Sequence, residues 1–306
     1  MPRPKLNGYE VLEPLGNGAG SVVFKAIDLA TNKPCAIKHV TRTVIAGIEK
    51  ARRSVRVGDS RLGQYARLNY RGFFEQVRNE YRILRSLSGN TYSPYIVKVH
   101  GLVTIRRFFR LHGYDLIMEL VDGISLRDKS DYDMADLIRF YYEAASGLAY
   151  LHAHRILHAD LKPHHIFITT ERHVKLLDFG LARFFTDPPG RIQGTAEFMA
   201  PEQAKGQALD QRTDVYGLGV TMYWVLTGTP NRPSISGVGG GTGFTVGFAG
   251  RADSVREKNP QCPPALDELI IQSCERRPSK RPQSMTEVLR RLNAIMAMAP
   301  PQQAAQ

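Results

Sequence analysis

Cysteine is scarce. Three in 306 residues (Cys35, Cys262, Cys274), odd in number and widely spaced, offer no disulfide framework and fit a reducing, cytoplasmic setting. No cationic start followed by an apolar run is present, so no secretory leader is expected. No uncharged apolar stretch approaches the ~20 residues that a membrane helix needs. The longest apolar segment, VYGLGVTMYWVLTG from Val215, is too short and reads as a buried helix. Internal repeats are absent. Charged residues make up only 23% of the chain and apolar ones 42%, which excludes a disordered chain and suffices for one large core or two smaller ones.

Acidic residues are outnumbered. The formal charge is +12, and a basic balance of this size can serve nucleic acid, an anionic surface or a polyanionic ligand. Half of the excess lies between Arg42 and Arg71, where eight Lys and Arg face only Glu49 and Asp59. Two readings stay open for this stretch: a solvated basic insertion, or a contact for an anionic partner. Aromatic interleaving is limited to Tyr65 and Tyr70, so nucleic acid is not the expected partner.

The first forty residues read as strands. YEVLEPLG, SVVFKAID and KPCAIKHV are rich in β-branched and apolar residues and are separated by turn formers. FFEQVRNEYRILRSL has helical spacing, with Phe73, Val77, Tyr81 and Leu84 on one side. Two more strand candidates follow, around YIVKVHGLV and YDLIMELV. After Asp122-Gly123 helices take over. DLIRFYYEAASGLAYLHAH sets Leu137, Phe140, Tyr141, Ala144, Leu148 and Leu151 on one stripe, and the Val215 helix stops at Gly228. ALDELIIQSCERR is a further helix, and the last one opens on a capping box, Ser284-Met-Thr-Glu287. The Gly-rich piece 236–250 is a flexible loop or an ordered turn cluster. A small β-rich part before a larger helical part predicts an α+β chain of two lobes with a cleft between them.

Several short motifs carry chemistry. In LGNGAGSVV, Gly16, Gly18 and Gly20 allow close backbone approach, so the N–H groups of such a hairpin can cover phosphates. In CAIK, strand alternation puts Ala36 and Lys38 on one face, where a small residue can floor a flat base while the ammonium reaches phosphates. HADLKPHH (158–165) and DFG (178–180) flank IFITTERHVKLL, read as two short strands with a turn at Thr170-Glu-Arg. Asp160 and Asp178 are thereby held at the two ends of a hairpin-like unit, one suited to orient a hydroxyl and the other to hold a metal. GTAEFMAPE (194–202) and TDVYGLG with Asp214 follow.

In this order, the Gly-rich loop, the strand lysine, the catalytic-loop aspartate, DFG and APE resemble the eukaryotic-type protein kinase family. The resemblance covers residues 9 to about 294 and implies a two-lobed fold. A small β-rich N-lobe would span 9–121, with a basic insertion at about 42–72; a larger helical C-lobe would span 122–296, with a flexible tail at 297–306. It implies ATP and Mg²⁺ or Mn²⁺ as cofactors and a protein as substrate. Lys38 would pair with the α/β-phosphates and with Glu80. Asp160 would accept or orient the substrate hydroxyl proton, with Lys162 beside it, and Asp178 would hold the metal. Leu15, Val23, Ala36 and Phe167 would sandwich the adenine under Gly16 and Gly18. Met118 would lie at the back of that pocket, with Glu119 to Val121 as the hinge. Glu202 would pair with Arg281, and Asp214 would brace the catalytic loop. Lys162 and Thr195 match the serine/threonine branch, and the style of LKPHHIFIT looks bacterial.

Four departures qualify the resemblance. Ser21 stands at the third glycine position. Ala159 replaces an arginine that clamps a phosphorylated activation segment in many members (the non-RD pattern), so activity is not expected to depend on phosphorylating 178–202. His165 replaces an asparagine at the second metal position, offering nitrogen where Mg²⁺ favours oxygen and Mn²⁺ is more tolerant. The 42-position stretch from Lys38 to Glu80 is long, and the insertion in it is a regulatory or docking element or an inert loop. Five of nine histidines crowd into 152–165 and raise the thought of zinc, although His152 and His158 match ordinary family positions. The expected function is an ATP-dependent serine/threonine protein kinase. The alternative is a pseudokinase, a nucleotide-binding scaffold or regulator, supported by Ala159 and His165.

Overall fold

A computed structural model describes residues 4, 6–55, 70–89, 92–128, 132–188, 193–229, 233–235, 246–248 and 252–298. The chain divides into two units. The first comprises residues 1–90 and 97–121, and the second residues 91–96 and 122–306.

The first unit is built on a five-stranded antiparallel sheet of β1 (Tyr9–Asn17), β2 (Val22–Asp28), β3 (Lys33–Thr41), β4 (Val99–Arg107) and β5 (Arg110–Glu119). Their spatial order is β1-β2-β3-β5-β4. The expected strand around YIVKVHGLV begins only at Val99. Ala26, Cys35, Ile37 and Ile117 make one buried cluster, joined by half-buried Tyr9, Val11 and Val103. Val40, Tyr114 and Leu116 make another with Phe73, Phe74 and Val77 of helix α2 (Tyr70–Ser86).

The basic insertion begins as a helix. Helix α1 (Arg42–Val55) follows β3 without a linker, and Thr41 Oγ1 accepts a hydrogen bond from Val44 N at 3.3 Å. Val44 and Ile48 lie against Val22 and Phe24 of β2, while Ile45 joins the cluster of Phe73 and Phe74. The basic content of this stretch hid an apolar stripe that ties α1 to both the sheet and α2. Arg42 lies over the Tyr70 ring, its guanidinium carbon 4.3 Å from the centroid. Residues 56–69, the rest of the insertion, fall outside the described residues.

The second unit is mainly helical. Helix α3 (Met134–Ala153) starts at Asp133, whose side chain accepts from Asp136 N, and all six residues of its predicted stripe are buried. It is followed by β7 (Ile156–Leu157), β8 (Ile166–Thr169) and β9 (Val174–Leu176); β6 (Gly123–Ser125) completes a small sheet in the order β6-β8-β9. The predicted hairpin in IFITTERHVKLL is thus present. Strand β10 (Arg183–Phe184) pairs with β7. Helix α4 (Pro201–Ala204) precedes α5 (Gln211–Thr227), which is buried nearly all round. Gly228 ends α5 with φ +68, a left-handed conformation that glycine adopts without strain, and its N–H donates to Trp224 O at 2.8 Å.

Strands β11 (Pro233–Ile235) and β12 (Val246–Phe248) form a hairpin, so the end of the Gly-rich piece is strand; 236–245 and 249–250 fall outside the described residues. Helices α6 (Pro264–Ser273) and α7 (Met285–Met298) close the unit. In the capping box Ser284 Oγ accepts from Glu287 N at 3.2 Å, but the Glu287 carboxylate reaches back to Gln283 N, one residue earlier than the usual partner. Helix α7 runs two residues into the stretch read as a tail, and 299–306 fall outside the described residues. Glu202 takes two hydrogen bonds from Arg281, at 2.7 and 2.8 Å, in a buried planar pair that fixes α4 to the segment before α7. Among the described residues no helix is long and apolar enough to cross a membrane.

Candidate active site

In the first unit, strand register sorts the side chains. Val23 lies opposite Lys38 across β2 and β3, and Lys38 opposite Leu116 across β3 and β5. Ala36 lies opposite Met118. Strand alternation therefore sets Val23, Ala36, Lys38 and Met118 on one face of the sheet. Ala36 is buried, Val23 and Met118 are half-buried, and Met118 packs against the cluster of Phe74 and Leu116. Glu119 and Val121 follow at the end of β5, half-buried, with Glu119 N donating to Lys98 O at 2.9 Å. Leu15, Gly16 and Gly18 are exposed.

The Gly-rich hairpin is tight. Asn17 pairs with Val22, and Gly18 N donates to Ser21 O at 2.8 Å. A Cβ on Gly20 would fall 2.5 Å from the Phe73 ring. The close approach that requires this glycine is therefore made to α2 of the same chain. Ser21 is buried.

Lys38 Nζ meets Glu80 Oε2 at 2.6 Å. Glu80 is only 1% exposed, carried inward on the apolar face of α2. A lysine whose ammonium is fixed in this way is a directed positive charge rather than a mobile surface one.

In the second unit, the residues of the HADLKPHH loop converge. Asp160 Oδ1 accepts from Thr195 N at 3.0 Å, and Asp160 Oδ2 lies 3.3 Å from Lys162 Nζ. Lys162 Nζ also donates to Thr195 Oγ1 at 2.7 Å. Both carboxylate oxygens of Asp160 are thus aimed by neighbours, and Lys162 bridges the loop to the segment after DFG. Phe167 sits half-buried on β8, between Ser125 and Lys175 in register.

His165 ends the loop and is buried. Its Nδ1 lies 2.8 Å from the carbonyl oxygen of Asp160. A carbonyl can only accept, so Nδ1 carries the hydrogen. Burial, only partly offset by the charge of Asp178, brings the His165 pKa down to about 4, so the ring is neutral near pH 7. Nε2 then presents its lone pair 3.4 Å from Asp178 Oδ2. Two acceptors at that separation repel each other unless a cation lies between them. This donor set fits a divalent ion.

Asp214 holds the loop in place. Its two carboxylate oxygens accept from His158 N and Ala159 N, each at 2.9 Å, and His152 Nε2 lies 2.8 Å from Oδ2. Ala159 has φ +61, a strained left-handed conformation for alanine, and Asp178 has the same φ. Burial acts to raise the Asp214 pKa, but the His152 hydrogen bond, the charges of His152 and His158 and the Ala159 amide outweigh it and lower the value.

The histidine crowd is dispersed among separate partners. His152 meets Asp214, His154 the Tyr150 carbonyl, His158 the Leu177 carbonyl, His164 Arg127 and His165 Asp160. Among the described residues no group of three or more His, Cys, Asp and Glu is placed to hold a metal ion. One contributor had no motif to announce it. Gln203, directly after the Pro-Glu of APE, donates its side-chain amide to the Ala159 carbonyl at 2.6 Å and to the Gln193 carbonyl at 3.3 Å.

An antiparallel sheet with a Lys–Glu pair on one face, and a helical unit with an aspartate loop braced from a neighbouring helix, are the features of the protein kinase class of domain. The chain belongs to the protein kinase domain family, whose model matches residues 9–292. It is 34% identical over 186 residues to serine/threonine-protein kinase PknB of Mycolicibacterium smegmatis, covering 56% of this chain and 29% of that protein. It is 25% identical over 300 residues to a probable serine/threonine-protein kinase of Clostridium acetobutylicum, covering 94% and 40%. A probable serine/threonine-protein kinase of Dictyostelium discoideum is 31% identical over 234 residues, covering 74% and 40%. The chain therefore spans well under half the length of these relatives.

Proposed function

We propose that this chain is an ATP-dependent serine/threonine protein kinase, transferring the γ-phosphoryl group of ATP to a Ser or Thr hydroxyl of a protein. Residues 9–121 would form the N-lobe and 122–296 the C-lobe. The observation that carries the reading is the aim of Asp160, whose carboxylate is held by Thr195 N and Lys162 Nζ.

In this reading Asp160 orients the acceptor hydroxyl and takes up its proton as the new P–O bond forms and the bond from the γ-phosphorus to the β–γ bridging oxygen breaks, with ADP leaving. Lys162, anchored on Thr195, offers positive charge beside it. Lys38, held by Glu80, binds the α/β-phosphates. Leu15, Val23, Ala36 and Phe167 enclose the base under the Gly16–Gly18 hairpin, Met118 backs it, and the Glu119–Val121 backbone binds its edge. Asp178 and His165 would hold Mg²⁺ or Mn²⁺. The ion would neutralise charge on the phosphates. The chain's share is thus positioning and charge compensation, with no covalent enzyme intermediate. The names of the relatives support the serine/threonine class. The three free buried cysteines support a cytoplasmic setting.

The test is transfer of label from γ-labelled ATP to a generic protein acceptor and to the chain itself, with Mg²⁺ or Mn²⁺, followed by mapping of the labelled residues. Labelled serine or threonine in the wild type, and none in Asp160→Ala or Asp178→Ala, is the expected result. Nucleotide binding without transfer by the wild type would replace this reading with a pseudokinase.

A further inference from the structure

The β4–β5 hairpin breaks two local rules at once. Arg107 pairs directly with Arg110, leaving a two-residue turn of Phe108 and Phe109. Both phenylalanines have positive φ, +48 and +62. Turns of this kind favour Asn-Gly, because a bulky side chain is strained in the left-handed region. Like charges facing each other across the closing pair add repulsion. The strain is not offset by burial: Phe108 is 85% exposed and Phe109 96%. Breaches of local preference without a packing gain point to function.

The surroundings are cationic. No acidic residue occurs between Val99 and Tyr114, while Arg106, Arg107 and Arg110 flank the two rings. Arg106 Nη1 donates to Phe109 O at 3.4 Å, and the Arg107 guanidinium lies 5.8 Å from the Phe108 ring centroid. The start of α1 adds to this surface, since Thr43 Oγ1 lies 3.2 Å from His112 Nε2. Burial, then the charges of Arg107 and Arg42, lower the His112 pKa, so cations from both elements act on one spot.

We propose that this hairpin tip is a membrane-contact element, in which Phe108 and Phe109 enter the interfacial region of an anionic bilayer while Arg106, Arg107 and Arg110 meet lipid headgroups. The tip is convex and carries its apolar groups outward. A fluid bilayer accepts such a shape without a preformed pocket, and anionic lipid complements the arginines. Single-stranded nucleic acid is read on a groove with stacking platforms, which a projecting two-residue turn does not supply.

The experiment is co-sedimentation of the chain with phosphatidylcholine vesicles, with and without roughly one-third phosphatidylserine. The wild type partitions onto the anionic vesicles, and the partition weakens as salt is raised. Phe108→Asn/Phe109→Gly, which supplies the residues this turn prefers, lowers the partition about tenfold while raising the melting temperature and leaving transfer activity in solution unchanged. Replacing the three arginines with glutamine removes the preference for phosphatidylserine. As a second measurement, a Phe108→Trp variant shows a blue-shifted emission on anionic vesicles. Absence of wild-type partition, equal partition by the Asn-Gly variant, or an unshifted tryptophan would overturn the proposal. So would Phe-dependent retention of a single-stranded oligonucleotide by a chain that ignores vesicles.

Discussion

Gln203 donates its side-chain amide to the carbonyl of Ala159 at 2.6 Å, and the same nitrogen lies 3.3 Å from the carbonyl of Gln193. The catalytic loop is thereby tied to the segment after DFG at the residue where many kinases carry an arginine. That arginine needs a phosphate to clamp; a neutral amide between two carbonyls does not. Gln203→Ala should lower kcat about tenfold, a loss of about 1.4 kcal/mol in transition-state stabilisation, with little change in the KM for ATP. Thr186 offers a hydroxyl for phosphorylation within the 178–202 segment, and Thr186→Ala should leave the rate of purified protein within about twofold of wild type. Steady-state kinetics on both variants check this, and a large loss in Thr186→Ala alone would return control to phosphorylation.

His165 sets a second expectation. With Nδ1 committed to the Asp160 carbonyl, only Nε2 can face a metal beside Asp178. Nitrogen suits Mn²⁺ better than Mg²⁺. ATP turnover should therefore be faster with Mn²⁺, by roughly three- to tenfold, and His165→Asn should shift the preference toward Mg²⁺. Electron paramagnetic resonance of bound Mn²⁺ gives a readout apart from turnover: a nitrogen coupling in the wild type that the variant lacks. Equal rates with both metals in both proteins would leave His165 without a metal role.

Asp214 links the loop to pH. Its folded pKa is lowered, so its contribution to stability is present above the unfolded value near 3.9 and is lost as pH falls through the folded value. Asp214→Asn leaves at least one of the His158 and Ala159 amides facing the wrong group, beside an alanine already strained at φ +61. The variant should be less stable by about 2–4 kcal/mol at pH 7. Urea midpoints measured from pH 7 downward should converge between the two proteins as the wild-type carboxylate protonates. A gap that stays constant across that range would show that the charge of Asp214 is not what counts.

Much of this was legible in the residues, for identifiable reasons. Period-2 alternation in CAIK and the apolar stripe of α3 report local geometry, and local geometry survives folding. Arg281 and Glu202 could be paired only through the family resemblance, because nothing local links positions so far apart. Three features escaped. The left-handed turn at Phe108-Phe109 contradicts residue preference and so could not be inferred from it. Gln203 acts through two backbone carbonyls, which have no residue signature. Helix α1 was hidden because five charged residues, four of them basic, are interleaved with its apolar ones, and the decisive apolar ones, Val44, Ile45 and Ile48, amount to little more than one turn.

That stripe carries the last prediction. Ile45 is 4% exposed and packs with Val40 of β3 and with Phe73, Phe74 and Val77 of α2. Glu80 lies about one turn beyond Val77 on the same helix, so Ile45 helps to hold the helix that presents Glu80 to Lys38. Removing its side chain to Cβ should leave a cavity and destabilise the protein by about 2–4 kcal/mol. Because α2 is then held less firmly, kcat/KM for ATP should fall as well, whereas Thr43→Ala on the exposed side of α1 should change neither quantity. Denaturation midpoints and steady-state kinetics on Ile45→Ala, Ile45→Val and Thr43→Ala distinguish the cases. Val should recover most of both losses, since it restores most of the volume. Loss of stability in Ile45→Ala with unchanged kcat/KM would mean that α1 supports the sheet without steadying the Lys38–Glu80 pair.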